Sequence, residues 1–211
     1  VDELLTYLPR FVAAFSILTF AAISPGPAVA FLLGVSAARG RGPALLATTG
    51  IAAGSSTINV LTLVGVGLLL SQLAWAMEIL RLAGASYLAW LAWGSFRKAL
   101  NPPQVVAAKV TPAKAHHLFA SGYLMQVTNP KAIAFWLAIA AVGATEGGSA
   151  LVVAAFIACS FVISFTCHAA WALILSSAPV RRAYAAGRRW IEGALGVFFA
   201  FAAWKIATSE S

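Results

Sequence analysis

The chain of 211 residues is 61% hydrophobic and 9% charged, with a mean hydropathy of +0.89. Those values exclude a soluble globule and describe a polytopic membrane protein. The net charge of +8 does not indicate nucleic acid, because the Lys and Arg residues sit in short clusters between long uncharged runs, without the aromatic interleaving that stacks bases.

In chain order, the start VDELLTYLPR carries Asp2 and Glu3 where a signal peptide has a basic region, so the apolar run that follows reads as a first span that is kept. About 20 apolar residues cross the hydrocarbon core, and uncharged runs of that kind predict six helices, at about 11–36, 44–69, 75–96, 118–141, 150–175 and 189–206. The run from Gly42 to Met77 is too long for one span, and Ser71 and Gln72 are the natural place to divide it.

With six spans, Arg39, Arg41, Arg97, Lys98, Lys109, Lys114, Arg181, Arg182, Arg188 and Arg189 fall in or beside the odd-numbered loops. Asp2, Glu3, Glu78, Glu146 and Glu210 fall on or near the other side. The positive-inside rule then predicts cytoplasmic odd loops and both termini outside. The hydrophilic stretch from Arg97 to His117 predicts a cytoplasmic linker, dividing the chain into a three-helix unit at 1–100, the linker at 101–117 and a second unit at 118–211. His116 and His117 have no carboxylate or cysteine beside them and read as a solvated loop rather than a metal site. Cys159 and Cys167, eight residues apart in one helical run, lie about 12 Å apart along the axis. That is too far for a disulfide, and they read as buried apolar residues.

One pattern occurs twice. SPGPAVAFLL begins at residue 24 and TNPKAIAFWL at residue 128. Each falls in the first helix of its unit, and since three is odd the second unit enters the membrane from the opposite side. The expected fold is therefore all-α and integral to the membrane, with six transmembrane helices arranged as two inverted three-helix repeats whose first and fourth helices are broken, a plan characteristic of secondary transporters.

Proline removes a backbone donor and clashes with the carbonyl one turn back, and Gly26 adds backbone freedom. Freed carbonyls at membrane depth are tolerated only against other protein or a watery cavity. The candidate binding residues are accordingly Ser24, Pro25, Gly26 and Pro27 with Thr128, Asn129, Pro130 and Lys131. The lysine is too deep to snorkel, and its charge costs about 2.5 to 3.5 kcal/mol on insertion scales.

All six acidic residues fall near predicted span ends, so the expected partners of Lys131 are freed carbonyls, Ser24, Thr128, Asn129 or a substrate carboxylate. Half-helices starting after Pro27 and Pro130 would aim positive dipole ends at one point, favouring an anion. A lysine that merely pins the broken helix is the competing reading. Lys131 and His168 are the candidates for coupling to protons.

Ser55, Ser56, Thr57 and Asn59, and Ser160, Ser164, Thr166 and His168, occupy corresponding helices of the two units and would line a pathway; Ser55 and Asn59 join the binding candidates. GIAAG at 50–54 has small-residue spacing that suits packing within one chain or in a homo-oligomer. Trp75, Trp90, Trp93, Trp190 and Trp204 fit an interfacial belt.

SPGP at 24–27, RGRG at 39–42, GIAAG with Gly65 and Gly67, LAGASYL at 82–88 and NPKAIAF at 129–135 together resemble the LysE/RhtB family of amino-acid exporters over nearly the whole chain. That resemblance implies a bacterial inner-membrane carrier exporting amino acids or close derivatives under the proton motive force, with no enzymatic activity, cofactor or resident metal. Many members carry an acidic residue where this chain has Ser55, so a neutral amino acid is expected rather than a cationic one.

Three other classes fit less well. A membrane thiol-redox carrier wants a cysteine in each repeat, a divalent-metal exporter wants buried carboxylates or clustered His and Cys, and a membrane hydrolase wants a nucleophile and base with an orienting acid.

Overall fold

A computed structural model describes residues 2–72, 76–102 and 114–208. It is all-helical in these residues, with eight helices: α1 (Asp2–Ile23), α2 (Pro27–Arg39), α3 (Arg41–Gln72), α4 (Ala76–Leu100), α5 (Ala115–Val127), α6 (Pro130–Ala140), α7 (Ala150–Ile174) and α8 (Ala178–Ala207). Among the described residues, four helical stretches are long and apolar enough to cross a membrane: Glu3–Ile23, Arg41–Gly65, Ala150–Ile174 and Ala178–Ala207. The two shorter apolar helices, α2 and α6, are the pieces that follow the two proline breaks.

Each predicted span coincides with helix. The first runs longer than expected, from Asp2, because its early turns are held by the 143–149 turn. Tyr7 donates to Glu146 O at 3.0 Å, Arg10 donates to Gly143 O and Glu146 O at 3.3 Å each, and Glu3 accepts from Ser149 N–H at 3.0 Å and Ser149 Oγ at 2.8 Å. The turn itself relies on glycine, with φ of +64° at Gly143 and +73° at Gly147. At the opposite end of the bundle Arg41 Nε donates to Ser176 Oγ at 2.9 Å, bringing the α2–α3 and α7–α8 turns together. Ser71 and Gln72, the expected division of the long second run, fall in the last turn of α3, and residues 73–75 and most of the expected linker, 103–113, lie outside the described residues. His116 and His117 are exposed on the first turn of α5, not in a loop.

The main core joins α1, α4, α6, α7 and α8 through Phe11, Leu88, Phe135, Trp136, Phe156, Leu195 and Phe199. A second cluster packs α2, α3, α5 and α7 around Leu32, Val35, Ile51, Leu118 and Ala172. The GIAAG spacing serves packing inside this chain: a Cβ on Gly50 would strike the carbonyl of Phe119, and one on Gly122 the carbonyl of Ala47. Helices α3 and α5 therefore meet backbone to backbone.

One expectation needs correction. Cys159 is exposed on the outer face of α7 and Cys167 is partly covered, so neither is a buried core residue, and both are free thiols. Of the expected belt, Trp90, Trp93, Trp190 and Trp204 are exposed on the bundle surface, whereas Trp75 lies outside the described residues.

Candidate functional site

The two proline breaks come together. Ser24, Pro25 and Gly26 separate α1 from α2, and Thr128 and Asn129 separate α5 from α6. Helices α2 and α5 are each 13 residues long, which puts both breaks about 20 Å from the helix ends on the side of the basic loops.

Each break is followed by a helix start with proline in its first turn, where the missing N–H costs nothing. Asn129 caps α6, its Oδ1 accepting from Lys131 N–H at 3.1 Å. Gly26 supplies no side-chain cap to α2, leaving that positive end open to an anion. The ammonium of Lys131 crosses from one break to the other, donating to Ser24 O at 3.1 Å and to Ser24 Oγ. Gly26 makes the crossing possible: a Cβ there would lie 3.1 Å from Lys131 Nζ and 3.3 Å from its Cδ.

A small cavity opens at this junction, lined by Ser24, Gly26, Pro27, Ser55, Asn129 and Lys131 among the expected residues, with His168 completing that set. Ser55 is buried and accepts a hydrogen bond from Trp136 Nε1 at 3.1 Å. His168 is buried, and its Nδ1 lies 2.8 Å from Ser164 O, so it is bonded to its own helix while one face looks into the cavity.

Pro25, Asn59, Thr128 and Pro130 do not line the cavity. Thr128 turns outward, its hydroxyl donating to Leu124 O at 2.7 Å. Asn59 is buried one turn beyond Ser55. Its Nδ2, like Ser160 Oγ and Ser164 Oγ on the facing helix α7, has no hydrogen-bond partner among the described residues.

Sequence reasoning missed three features. Gln126, Phe135 and Trp136 line the cavity. Gln126 is buried with an unpartnered Oε1; an amide one turn before Pro130 inside an apolar span was the signal for it.

Glu192, expected near a span end, is 1% exposed in the middle of α8. Its Oε1 lies 3.6 Å from Arg188 Nε, and its charge is within range of Lys131. Helix α8 begins at Ala178, so Glu192 is its fifteenth residue.

The described residues hold no cluster of three or more His, Cys, Asp or Glu able to bind a metal. What the junction offers is a cation, two helix N-termini and unpartnered amide and hydroxyl groups in a membrane-spanning bundle. Fold and site together define a multi-pass helical membrane protein with a small polar site at its broken helices.

The chain matches the LysE type translocator family over residues 19–210 and belongs to that family, so it is a transporter and not an enzyme. It is 29% identical over 190 residues to a threonine efflux protein of Escherichia coli strain K12, covering 85% of this chain and 88% of that one. It is 32% identical over 154 residues to the chemotactic transduction protein ChpE of Pseudomonas aeruginosa, covering 70% and 74%. It is 32% identical over 121 residues to a homoserine/homoserine lactone efflux protein of Salmonella typhimurium, covering 57% and 58%. No solved structure matches the chain.

Proposed function

We propose that this protein exports small neutral amino acids across a bacterial inner membrane, driven by the proton motive force, with the substrate carboxylate bound by Lys131. The observation that carries the reading is the junction of the breaks, where Lys131 Nζ reaches Ser24 and two helix N-termini converge. A carboxylate entering there would take over the hydrogen bonds that Ser24 now accepts from the ammonium. The lysine would then switch partners between the empty and loaded carrier, and the contact with Ser24 that ties the two breaks would loosen only when substrate is present.

The amino-acid assignment draws on the threonine and homoserine efflux relatives. Neutrality draws on Ser55, a hydrogen-bonded hydroxyl where a cationic side chain would want a carboxylate. Unpartnered Gln126 Oε1 and Ser164 Oγ are acceptors for the substrate ammonium.

In the proposed topology α1 and α2 form one broken span and α5 and α6 another, giving six spans in inverted three-helix repeats. The Arg41–Ser176 end is cytoplasmic and the Tyr7–Glu146 end external. The test is exchange of labelled L-threonine, L-homoserine and L-lysine across proteoliposomes. The expected result is saturable exchange of the first two and little of lysine; no exchange of any of them, in protein that is folded, would refute the reading.

A further inference from the structure

At the basic-loop end the chain folds two turns against each other. The α2–α3 turn carries Arg39 and Arg41, and the α7–α8 turn leads into Arg181 and Arg182 at the start of α8. Their contacts hold the turns together. Arg41 Nε donates to Ser176 Oγ at 2.9 Å, Ser36 Oγ donates to Ala172 O at 3.0 Å, and Val29 and Leu33 of α2 pack with Leu175 and Tyr184. Arg181 Nη1 donates to Leu175 O at 2.9 Å. Arg39, Arg41, Arg181 and Arg182 thus gather at one corner of the bundle.

Among the described residues no carboxylate answers them. Glu3 and Glu146 belong to the Tyr7 end. Glu78 is in the first turn of α4, which runs antiparallel to α8, Ala99 meeting Gly193 and Phe96 meeting Gly196, so it lies at the far end too. Glu192 stands further along α8, beside Arg188. Arg39 Nη1 is covered and has no hydrogen-bond partner among the described residues. A covered, charged donor left without an acceptor is costly, and the group is therefore available to a partner from outside the chain. Ser177 supplies no side-chain cap to α8, so an open positive helix end adds to the field of the arginines.

The apolar surroundings select the class of anion. Beside the corner Leu173 and Ile174 are exposed on the outer face of α7, with Val180 exposed on α8, and the face continues through exposed Phe161 and Val162 about three turns deeper. A free inorganic anion has no use for such a face. A phosphodiester joined to acyl chains uses both parts, and guanidinium groups suit its phosphate because they can donate two parallel hydrogen bonds.

We propose that this corner is a binding site for an anionic phospholipid, with the phosphodiester among Arg39, Arg41, Arg181 and Arg182 and the acyl chains along the outer face of α7. The bound lipid would tie the end of α2, the half-helix that follows the first proline break, to α7 and α8. The proposal uses only the membrane setting and the charge of the corner, so it stands apart from the exporter reading.

The test is lipid retention. The full chain in a neutral detergent is titrated with dioleoylphosphatidylglycerol or dioleoylphosphatidylcholine, and bound lipid is read by native mass spectrometry. The expected result is saturable binding of phosphatidylglycerol and much weaker binding of phosphatidylcholine. Arg39→Gln should weaken phosphatidylglycerol binding about fivefold, and Arg39→Gln/Arg182→Gln about 30-fold. Neither variant removes the Arg41 or Arg181 hydrogen bonds that hold the turns. Arg97→Gln/Lys98→Gln removes the same charge from the end of α4, on the same side of the bundle, and should leave the affinity near that of the wild type.

Equal affinity for the two lipids would overturn the proposal, as would equal losses in the corner and α4 variants, because a basic face in general would then explain the binding. Displacement of the lipid by inorganic phosphate at comparable concentration would overturn it as well, assigning the corner to a free anion. The comparison of the two lipids needs the wild type alone, so it remains decisive where a variant fails to fold.

Discussion

At the scale of single residues the account turns on Lys131. Its contacts in the structure, Ser24 O and Oγ, are those of a lysine that pins two broken helices, and the binding role adds a second partner to that same ammonium. A hydrogen bond to a charged group contributes about 1.5 to 3 kcal/mol. Lys131→Met should therefore lower threonine exchange by about 10- to 100-fold in protein that stays monodisperse, with an unfolding midpoint lowered by the lost Ser24 contacts.

Gly26→Ala probes the same atom from the other side. Its new methyl would displace Nζ from 3.1 Å, and exchange should fall with the lysine still present. Ser55→Asp should raise lysine exchange relative to threonine, because a carboxylate beside the cavity can keep the indole bond from Trp136 and still attract a cation. An unaltered preference in competition assays would remove Ser55 from the specificity argument.

Much of this site was legible at residue level. Proline and lysine at mid-span violate local rules strongly enough to be seen in one sequence, and Ser24, Gly26, Asn129 and Lys131 do meet. Thr128 was not separable from them, because a threonine hydroxyl bonds back to its own helix as readily as it faces a cavity.

At the scale of elements, the close approach of α3 and α5 and the latch on α1 make separate claims. Gly122→Leu forces a side chain against the Ala47 carbonyl, and backbone cannot turn aside as a flexible side chain can. Overpacking costs about 1 to 3 kcal/mol, so the unfolding midpoint in detergent should drop clearly, whereas Gly187→Ala, with open space around it, should change it little. The α1 latch is held by Glu3, Tyr7 and Arg10 on the 143–149 turn. Glu3→Ala should speed amide exchange in that turn without altering the rest of α7.

Helix positions were readable because apolar runs in a membrane are bounded by charge and turn residues. Helix lengths were not: α8 continues toward the basic end well before Arg189, since a helix does not have to stop where the bilayer does.

At the scale of the whole molecule, the convergence of two half-helix starts on one lysine makes a carrier of an anionic group the best reading of the bundle, and family membership makes it a transporter. The small-residue motif that suited an oligomer as well as a monomer is occupied by α5 of the same chain, a distinction that sequence spacing cannot make because both partners are helices with small faces.

The central claim is that Lys131 binds the carboxylate of a gradient-driven amino acid. It is tested most directly by accumulation of labelled L-threonine in proteoliposomes under an imposed pH gradient, wild type against Lys131→Met. The account predicts gradient-dependent accumulation by the wild type and accumulation at least about tenfold slower by a folded Lys131→Met. Equal accumulation by the two would contradict it.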